Sequence, residues 1–143
     1  MKIIEKATKT DHFAINQLLH NASLTPLDEE HAEYYFKSVN DKQEIIGAIG
    51  LEVYGKYGLL RSMAVSSEYR NKGIAGKLVD HIEYLSVKLN LKAIYLLTTT
   101  ADRYFDKKGY TRILRDEMQE EIKSSKEFKS ICPASAVVMR KTL

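Results

Sequence analysis

The sequence predicts one mixed α/β domain, and three observations carry that prediction. A β-rich run over residues 44–54 is joined by the glycine-bearing segment 55–58 to an apolar run over 59–65, the pattern of an antiparallel hairpin. From Ile74 the apolar positions Leu78, Ile82, Leu85 and Leu89 recur at the spacing of one helix face. Residues 93–99 are then almost continuously apolar, as in a strand covered on both faces. The intervening helix supplies the crossover that a parallel neighbour requires, so the sheet is mixed.

The remaining elements follow in order. Residues 3–8 alternate weakly and read as a first strand, and Thr10-Asp11 starts a helix carrying Phe13, Ile15, Leu18 and Leu19. Residues 27–36 are acidic at the start and aromatic at the end, which predicts a short second helix. Residues 38–42 read as a strand end and turn. A short helix over 101–108 is stopped by Gly109, and 110–114 is a strand. Residues 117–125 add a helical turn or two, 123–129 are polar and expected to be mobile, and 134–140 form the last strand.

The chain of 143 residues suits a single domain with a real core. Its net charge of +3 includes no long run of like charges, so a nucleic-acid surface is not demanded. No apolar stretch has membrane-spanning length and the first residues lack a signal-peptide core, so a cytoplasmic protein with no membrane partner is expected. Cys132 is the only cysteine, which rules out an intrachain disulfide and fits a reducing compartment. The four histidines have no partner at metal-ligand spacing, so no metal is expected.

The most informative segment is Arg70-Asn71-Lys72-Gly73-Ile74-Ala75-Gly76-Lys77, placed where the long helix begins. The first amides of a helix have no intrahelical partner, and the aligned peptide dipoles add partial positive charge there. Gly73, Ala75 and Gly76 let backbone approach a ligand closely, while Arg70, Lys72 and Lys77 add formal charge, so the segment suits a pyrophosphate. No Ser, Thr, Asp or Asn immediately precedes Gly73 to compete for those amides. A P-loop ending at Gly76-Lys77 would need Gly at Asn71 and Ser or Thr at Leu78, and a dinucleotide fingerprint would need a third glycine.

The pattern that does match is Arg/Gln-x-x-Gly-x-Gly/Ala, present as Arg70-x-x-Gly73-x-Ala75. It resembles the acetyl-coenzyme A loop of the GCN5-related N-acetyltransferase (GNAT) superfamily. The order of elements, through the short helix ending in Phe105-Asp106-Lys107-Lys108-Gly109-Tyr110, is similar as well. The resemblance implies one domain over residues 1–143, with a mostly antiparallel central sheet, helices on both faces, and a splay between the fourth and fifth strands. It implies that the cofactor is acetyl-coenzyme A, its pantetheine arm lying along Met63, Ala64 and Val65 and its pyrophosphate on the amides from Arg70 to Gly76. The implied reaction is direct acetyl transfer to the amine of a small molecule. A homodimer paired through the last strands is a further implication.

Acetyl transfer needs a neutral amine, N–H donors for the developing oxyanion, and an acid for the departing thiolate. Backbone amides near residues 63–65 are the expected donors. Many superfamily members carry Tyr where Phe105 stands, and here the tyrosine is its neighbour Tyr104. Adjacent helical residues point about 100° apart, so Tyr104 reads either as the acid or as a packing residue. Glu52 reads either as the start of a proton relay or as an exposed strand carboxylate.

Leu60-Arg61-Ser62, Leu97-Thr98-Thr99-Thr100 and Ile131-Cys132-Pro133-Ala134-Ser135-Ala136 resemble a smaller group, the arsenic-resistance N-acetyltransferases. The Leu-Thr-Thr ending is also similar to the acetyltransferase domain of N-acetylglutamate synthase. Both imply an amino-acid-like amine, glutamate-like or arsenic-containing. Arg61 reads as a fork for a substrate carboxylate or as a solvated or cofactor-facing residue. Ser62, Thr98, Thr99, Cys132 and Ser135 are the other candidate substrate contacts, and each is also an ordinary strand-end or loop residue. Two rivals stand beside the enzyme reading: a catalytically silent acyl-coenzyme A-binding regulatory domain, and a protein or peptide N-acetyltransferase.

Overall fold

The computed structural model describes residues 3–130 and 136–143. Seven strands form one sheet: β1 (Ile3–Lys6), β2 (Tyr34–Val39), β3 (Ile45–Tyr54), β4 (Tyr57–Val65), β5 (Ala93–Thr98), β6 (Thr111–Ile113) and β7 (Val137–Thr142). Their spatial order is β1-β2-β3-β4-β5-β7-β6, and every neighbouring pair is antiparallel except β4 and β5. The helices are α1 (His12–Asn21), α2 (Ile74–Lys88), α3 (Asp102–Lys107), α4 (Glu120–Lys123) and α5 (Lys126–Ser130).

The mixed sheet and the parallel β4–β5 pair agree with the sequence reading. β5 is apolar throughout because both of its faces are buried. Ile94 and Leu96 pack with Leu78 and Ile82 of α2, whereas Ala93, Tyr95 and Leu97 pack with Met118 and with Ile122 of α4 on the other face. α1 covers the sheet beside Tyr35, Ala48 and Ala64 through Ile15 and Leu19. Phe13, expected on the apolar face of α1, is exposed instead.

Two local expectations are corrected. Residues 27–36 do not form a helix: a single 3-10 turn over Glu29–His31 leads into β2. Tyr34, Tyr35 and Phe36 are good strand formers, and a strand here gains ladders to both β1 and β3, an energy that no local pattern reveals. The polar stretch 123–129 is not simply a mobile link, because Ser125 and Glu127 are buried and α5 occupies its second half. Among the described residues, no helix is long and apolar enough to cross a membrane.

Candidate active site

The cleft begins where β4 and β5 part. They pair only at Tyr57 with Ala93, Gly58 with Ile94 and Leu59 with Tyr95, after which β5 continues along β7. A bulge in β4 coincides with the parting. Gly50 opposes Arg61 and Ala48 opposes Ala64, so Ser62 and Met63 together face the single residue Ile49. Ser62 takes a positive φ of 61°, and the extra residue bends the strand. Gly50 opposite the bulge is required, because a Cβ there would lie 2.6 Å from the ring of Tyr35.

The resulting cleft has a volume of about 440 Å³. Its walls are Leu60, Arg61, Ser62 and Met63 of β4, Leu96, Leu97 and Thr98 of β5, and Thr100, Ala101 and Phe105 around the start of α3. Residues 21–24 at the end of α1, Arg70, and Glu127 of α5 complete it.

At the edge of this cleft α2 begins. Gly73 precedes it in a left-handed conformation, with φ of 81°, and no side chain caps the helix start. The first helical bond runs from Lys77 N to Gly73 O at 3.2 Å, leaving the amides before it without intrahelical acceptors. Asn71 is also left-handed, at φ of 62°. A Cβ built on Gly73 would meet no atom within 4 Å, so the approach to this helix end is unobstructed. Arg70, Asn71, Lys72 and Lys77 are exposed around it, and Arg70 Nε donates to Val65 O at 3.2 Å. The uncapped amides, the clear approach and the surrounding cations fit a pyrophosphate.

Behind the cleft lies a buried charge cluster. Arg61 is 3% exposed and makes four hydrogen bonds: Nε to Ser62 Oγ at 3.1 Å, Nη1 to Glu52 at 3.0 Å, and Nη2 to Thr25 Oγ1 at 3.1 Å and to Pro26 O at 2.7 Å. A guanidinium has five N–H donors, so its fork is largely committed inside the protein. That changes the expectation for Arg61: it lines the cleft, but a bidentate grip on a substrate carboxylate would require breaking an internal bond. Glu52 is not an exposed strand carboxylate. It is 1% exposed, lies behind Arg61, and accepts from Tyr54 Oη at 2.6 Å as well as from Arg61. Burial and the adjacent Glu52 carboxylate raise the Tyr54 phenol, and burial pushes that of Tyr35 up to about 12, so both stay protonated donors.

Glu127 was not anticipated from the sequence. It is 7% exposed, accepts from Thr25 Oγ1 at 3.0 Å, and has an oxygen 3.8 Å from Arg61 Nη2. Burial raises its carboxyl above the usual range, against the opposing pull of Arg61. The one sequence signal was an acidic residue at the helix-forming end of a polar stretch, which alone says nothing about burial.

The other candidates fall into distinct places. Ser62, Met63, Thr98 and Phe105 line the cleft, whereas Ala64, Val65 and Thr99 do not. Thr98 Oγ1 accepts from the amides of Thr100 and Ala101, at 3.3 and 2.8 Å, so it braces the turn into α3. Tyr104 does not line the cleft. Its hydroxyl oxygen lies 3.7 Å from where a Cβ on Gly76 would be, and it is buried with no hydrogen-bond partner among the described residues. Burial raises that phenol too. Cys132 and Ser135 lie outside the described residues.

Comparison with known proteins adds a family. Residues 3–112 match the family model described as Acetyltransferase (GNAT) family. An uncharacterised N-acetyltransferase of Chlorobaculum tepidum is 30% identical over 94 residues, covering 65% of this chain and 59% of that protein. An amino-acid acetyltransferase of Ralstonia nicotianae is 24% identical over 130 residues, covering 85% of this chain and 29% of that protein. The chain therefore spans less than two thirds of either relative. Among solved structures, N-acetylglutamate synthase from Neisseria gonorrhoeae, complexed with coenzyme A and N-acetylglutamate, superposes with a TM-score of 0.86. Its identity is 19%, covering 100% of this chain and 35% of that one. With its parallel pair splayed at a bulge, its uncapped glycine turn at the start of α2, and a family match over most of its length, the chain belongs to the Acetyltransferase (GNAT) family.

Proposed function

We propose that the protein is an acetyl-coenzyme A-dependent N-acetyltransferase acting on a compact primary amine of the amino-acid class. The observation that carries this is the separation of β4 from β5 beyond Leu59 and Tyr95, beside an uncapped helix start and opening into a cleft with a polar wall. Acetyl-coenzyme A supplies the activated acyl group as a thioester. The amides of residues 73–76, with Arg70, Lys72 and Lys77, hold its pyrophosphate, and the separated edges of β4 and β5 receive the pantetheine arm. Backbone donors near the bulge at Ser62 and Met63 stabilise the oxyanion.

The amino-acid class is supported by the names of the Ralstonia and Neisseria proteins, and by the resemblance to the arsenic-resistance group, which adds arsenic-containing amino-acid analogues to the panel. The first test is the melting temperature with and without saturating acetyl-coenzyme A, with ATP and dephospho-coenzyme A as controls. Ligand at a hundred times its Kd adds about 2.7 kcal/mol, so a shift on the order of 10 °C is expected. No shift with the coenzyme would remove the proposal. Release of free thiol should then be followed across amino acids, their arsenic-containing analogues and short peptides.

Phe105 in the cleft wall favours one second reading, a coenzyme-binding domain without transferase activity. Coenzyme binding with no thiol release across that panel is its signature. Tyr104 is the remaining candidate for a cofactor contact, since its hydroxyl, without a partner among the described residues, faces the start of α2 rather than the cleft. Tyr104→Phe is expected to raise the KM for acetyl-coenzyme A several-fold with kcat nearly unchanged. A fall in kcat at unchanged KM would instead make Tyr104 the acid for the thiolate.

A further inference from the structure

We propose that Leu24 selects the amine by its hydrocarbon chain, and that Arg61 and Thr25 are the positioning residues that hold Leu24 in the cleft. This rests on the N-acetyltransferase reading above. Six large hydrophobic side chains are strongly exposed among the described residues, and Leu24, 40% exposed, is the one of the six that lines the cleft. It shares that compartment with Leu60, Met63, Leu96 and Phe105, so the cleft has an apolar side as well as a polar wall. A hydrocarbon chain that covers Leu24 removes apolar surface from water on both partners. In the reading above the coenzyme lies along the parted strands and on the start of α2. Leu24 belongs to neither of these, so its contact is with the second substrate.

Two anchors fix the segment that carries Leu24. On the α1 side, the amides of Ser23 and Leu24 bond to His20 O at 3.0 Å and to Leu19 O at 2.8 Å, and Ser23 turns the chain with a φ of 58°. A serine in the left-handed region is held there by its surroundings rather than by its own preference. On the far side, Arg61 Nη2 donates to Thr25 Oγ1 and to Pro26 O, while the amide of Leu27 donates to Asn16 Oδ1 at 3.0 Å. The Leu27 side chain is buried with Ile15 and Leu19. The Thr25 hydroxyl accepts from Arg61 and donates to Glu127, so it joins the loop to β4 and to α5 at once. Arg61 also donates to Ser62 of the bulge. One buried guanidinium thus ties the loop carrying Leu24 to the part of β4 where the acyl group is transferred. This gives the committed fork of Arg61 its task, which is to hold the wall and not to grip the substrate. Because the loop is ordered on folding, the amine does not bear that entropic cost when it binds.

The test follows thiol release at saturating acetyl-coenzyme A across glycine, alanine, 2-aminobutyrate and norvaline, a series that lengthens by one carbon at a time. In wild type, kcat/KM is expected to rise by about tenfold or more between the ends of the series. Leu24→Ala should flatten that rise, with the largest loss on norvaline and the smallest on glycine. Leu24 is exposed, so its truncation opens no cavity in the core and leaves a folded protein to measure. Thr25→Val, which keeps the shape of the side chain without its hydroxyl, should raise KM for the amines several-fold while kcat and the acetyl-coenzyme A thermal shift stay as in wild type. Thr25→Ser, which keeps the hydroxyl, should restore the wild-type KM. The same rise along the series in Leu24→Ala would overturn the selection by Leu24, and so would an effect confined to the KM for acetyl-coenzyme A. Wild-type amine KM in Thr25→Val would overturn the positioning role. A flat series in wild type, or turnover of other amines only, would overturn the inference while leaving the transferase intact. Wild type that binds coenzyme but acetylates no amine would overturn this inference and the transferase reading together.

Discussion

Gly73→Glu is expected to abolish binding of acetyl-coenzyme A while leaving a folded protein. Nothing stands within 4 Å of a Cβ at this position, so the new side chain creates no clash. The φ of 81° imposes strain on any L residue, roughly 1–2 kcal/mol, but that cost falls on stability rather than on the ligand. The loss of binding comes from charge. A carboxylate about 4 Å from a pyrophosphate oxygen repels it by about 4 kcal/mol at the effective dielectric near a protein surface, roughly a thousandfold in Kd. Gly73→Ala separates the two effects: it carries the same strain and no charge, so it should lower the melting temperature similarly and still bind the coenzyme. Calorimetric titration of both variants with coenzyme A checks this. Undiminished binding to Gly73→Glu would remove the pyrophosphate from the start of α2.

Arg61→Met should produce the largest loss of stability, about 3–5 kcal/mol, because it strands two carboxylates in the interior. In a domain of this size that is a fall in melting temperature on the order of 10–20 °C. Thr25 and Pro26 lose their donor as well, so the loop after α1 loses its tie to β4. The pH dependence has a definite sign. Burial already raises the Glu127 carboxyl and Arg61 opposes that rise, so removing Arg61 raises it further. A carboxyl that binds protons more tightly folded than unfolded favours folding below its unfolded pKa. That favour disappears as pH rises through the folded value. The deficit of Arg61→Met is therefore expected to be smallest in acid and to widen toward neutrality. Adding Glu52→Gln and Glu127→Gln should recover much of the stability, since replacing a whole buried charge cluster costs far less than removing one member. A melting temperature for Arg61→Met close to that of wild type, independent of pH, would show that the cluster contributes no such coupling.

These two residues also divide what local sequence can specify from what it cannot. The turn at 70–77 was legible because its property is local: two glycines and three cations within two helical turns create an anion-attracting helix end whatever surrounds it. The face of α2 and the apolar run of β5 were legible for a related reason, since periodicity within one element reports which sides of it are buried. Phe105 in place of tyrosine was visible as a departure, and the geometry adds that the neighbouring Tyr104 faces the start of α2.

The tertiary structure alone decided three matters. It made residues 34–39 a strand, because the ladders to β1 and β3 outweigh the helix-like charge pattern before them. It buried Arg61 and Glu52 against each other, although each taken singly reads as an exposed charge on a strand. It also brought Glu127 to the cleft. Thr25 and Glu127 are 102 residues apart in the chain and 3.0 Å apart across a hydrogen bond. An ionised side chain takes its proton affinity from its dielectric surroundings and its nearest charges, and these are assembled only when distant segments pack. The sequence by itself thus determined which helix start attracts an anion, and folding decided which carboxylate reaches the cleft.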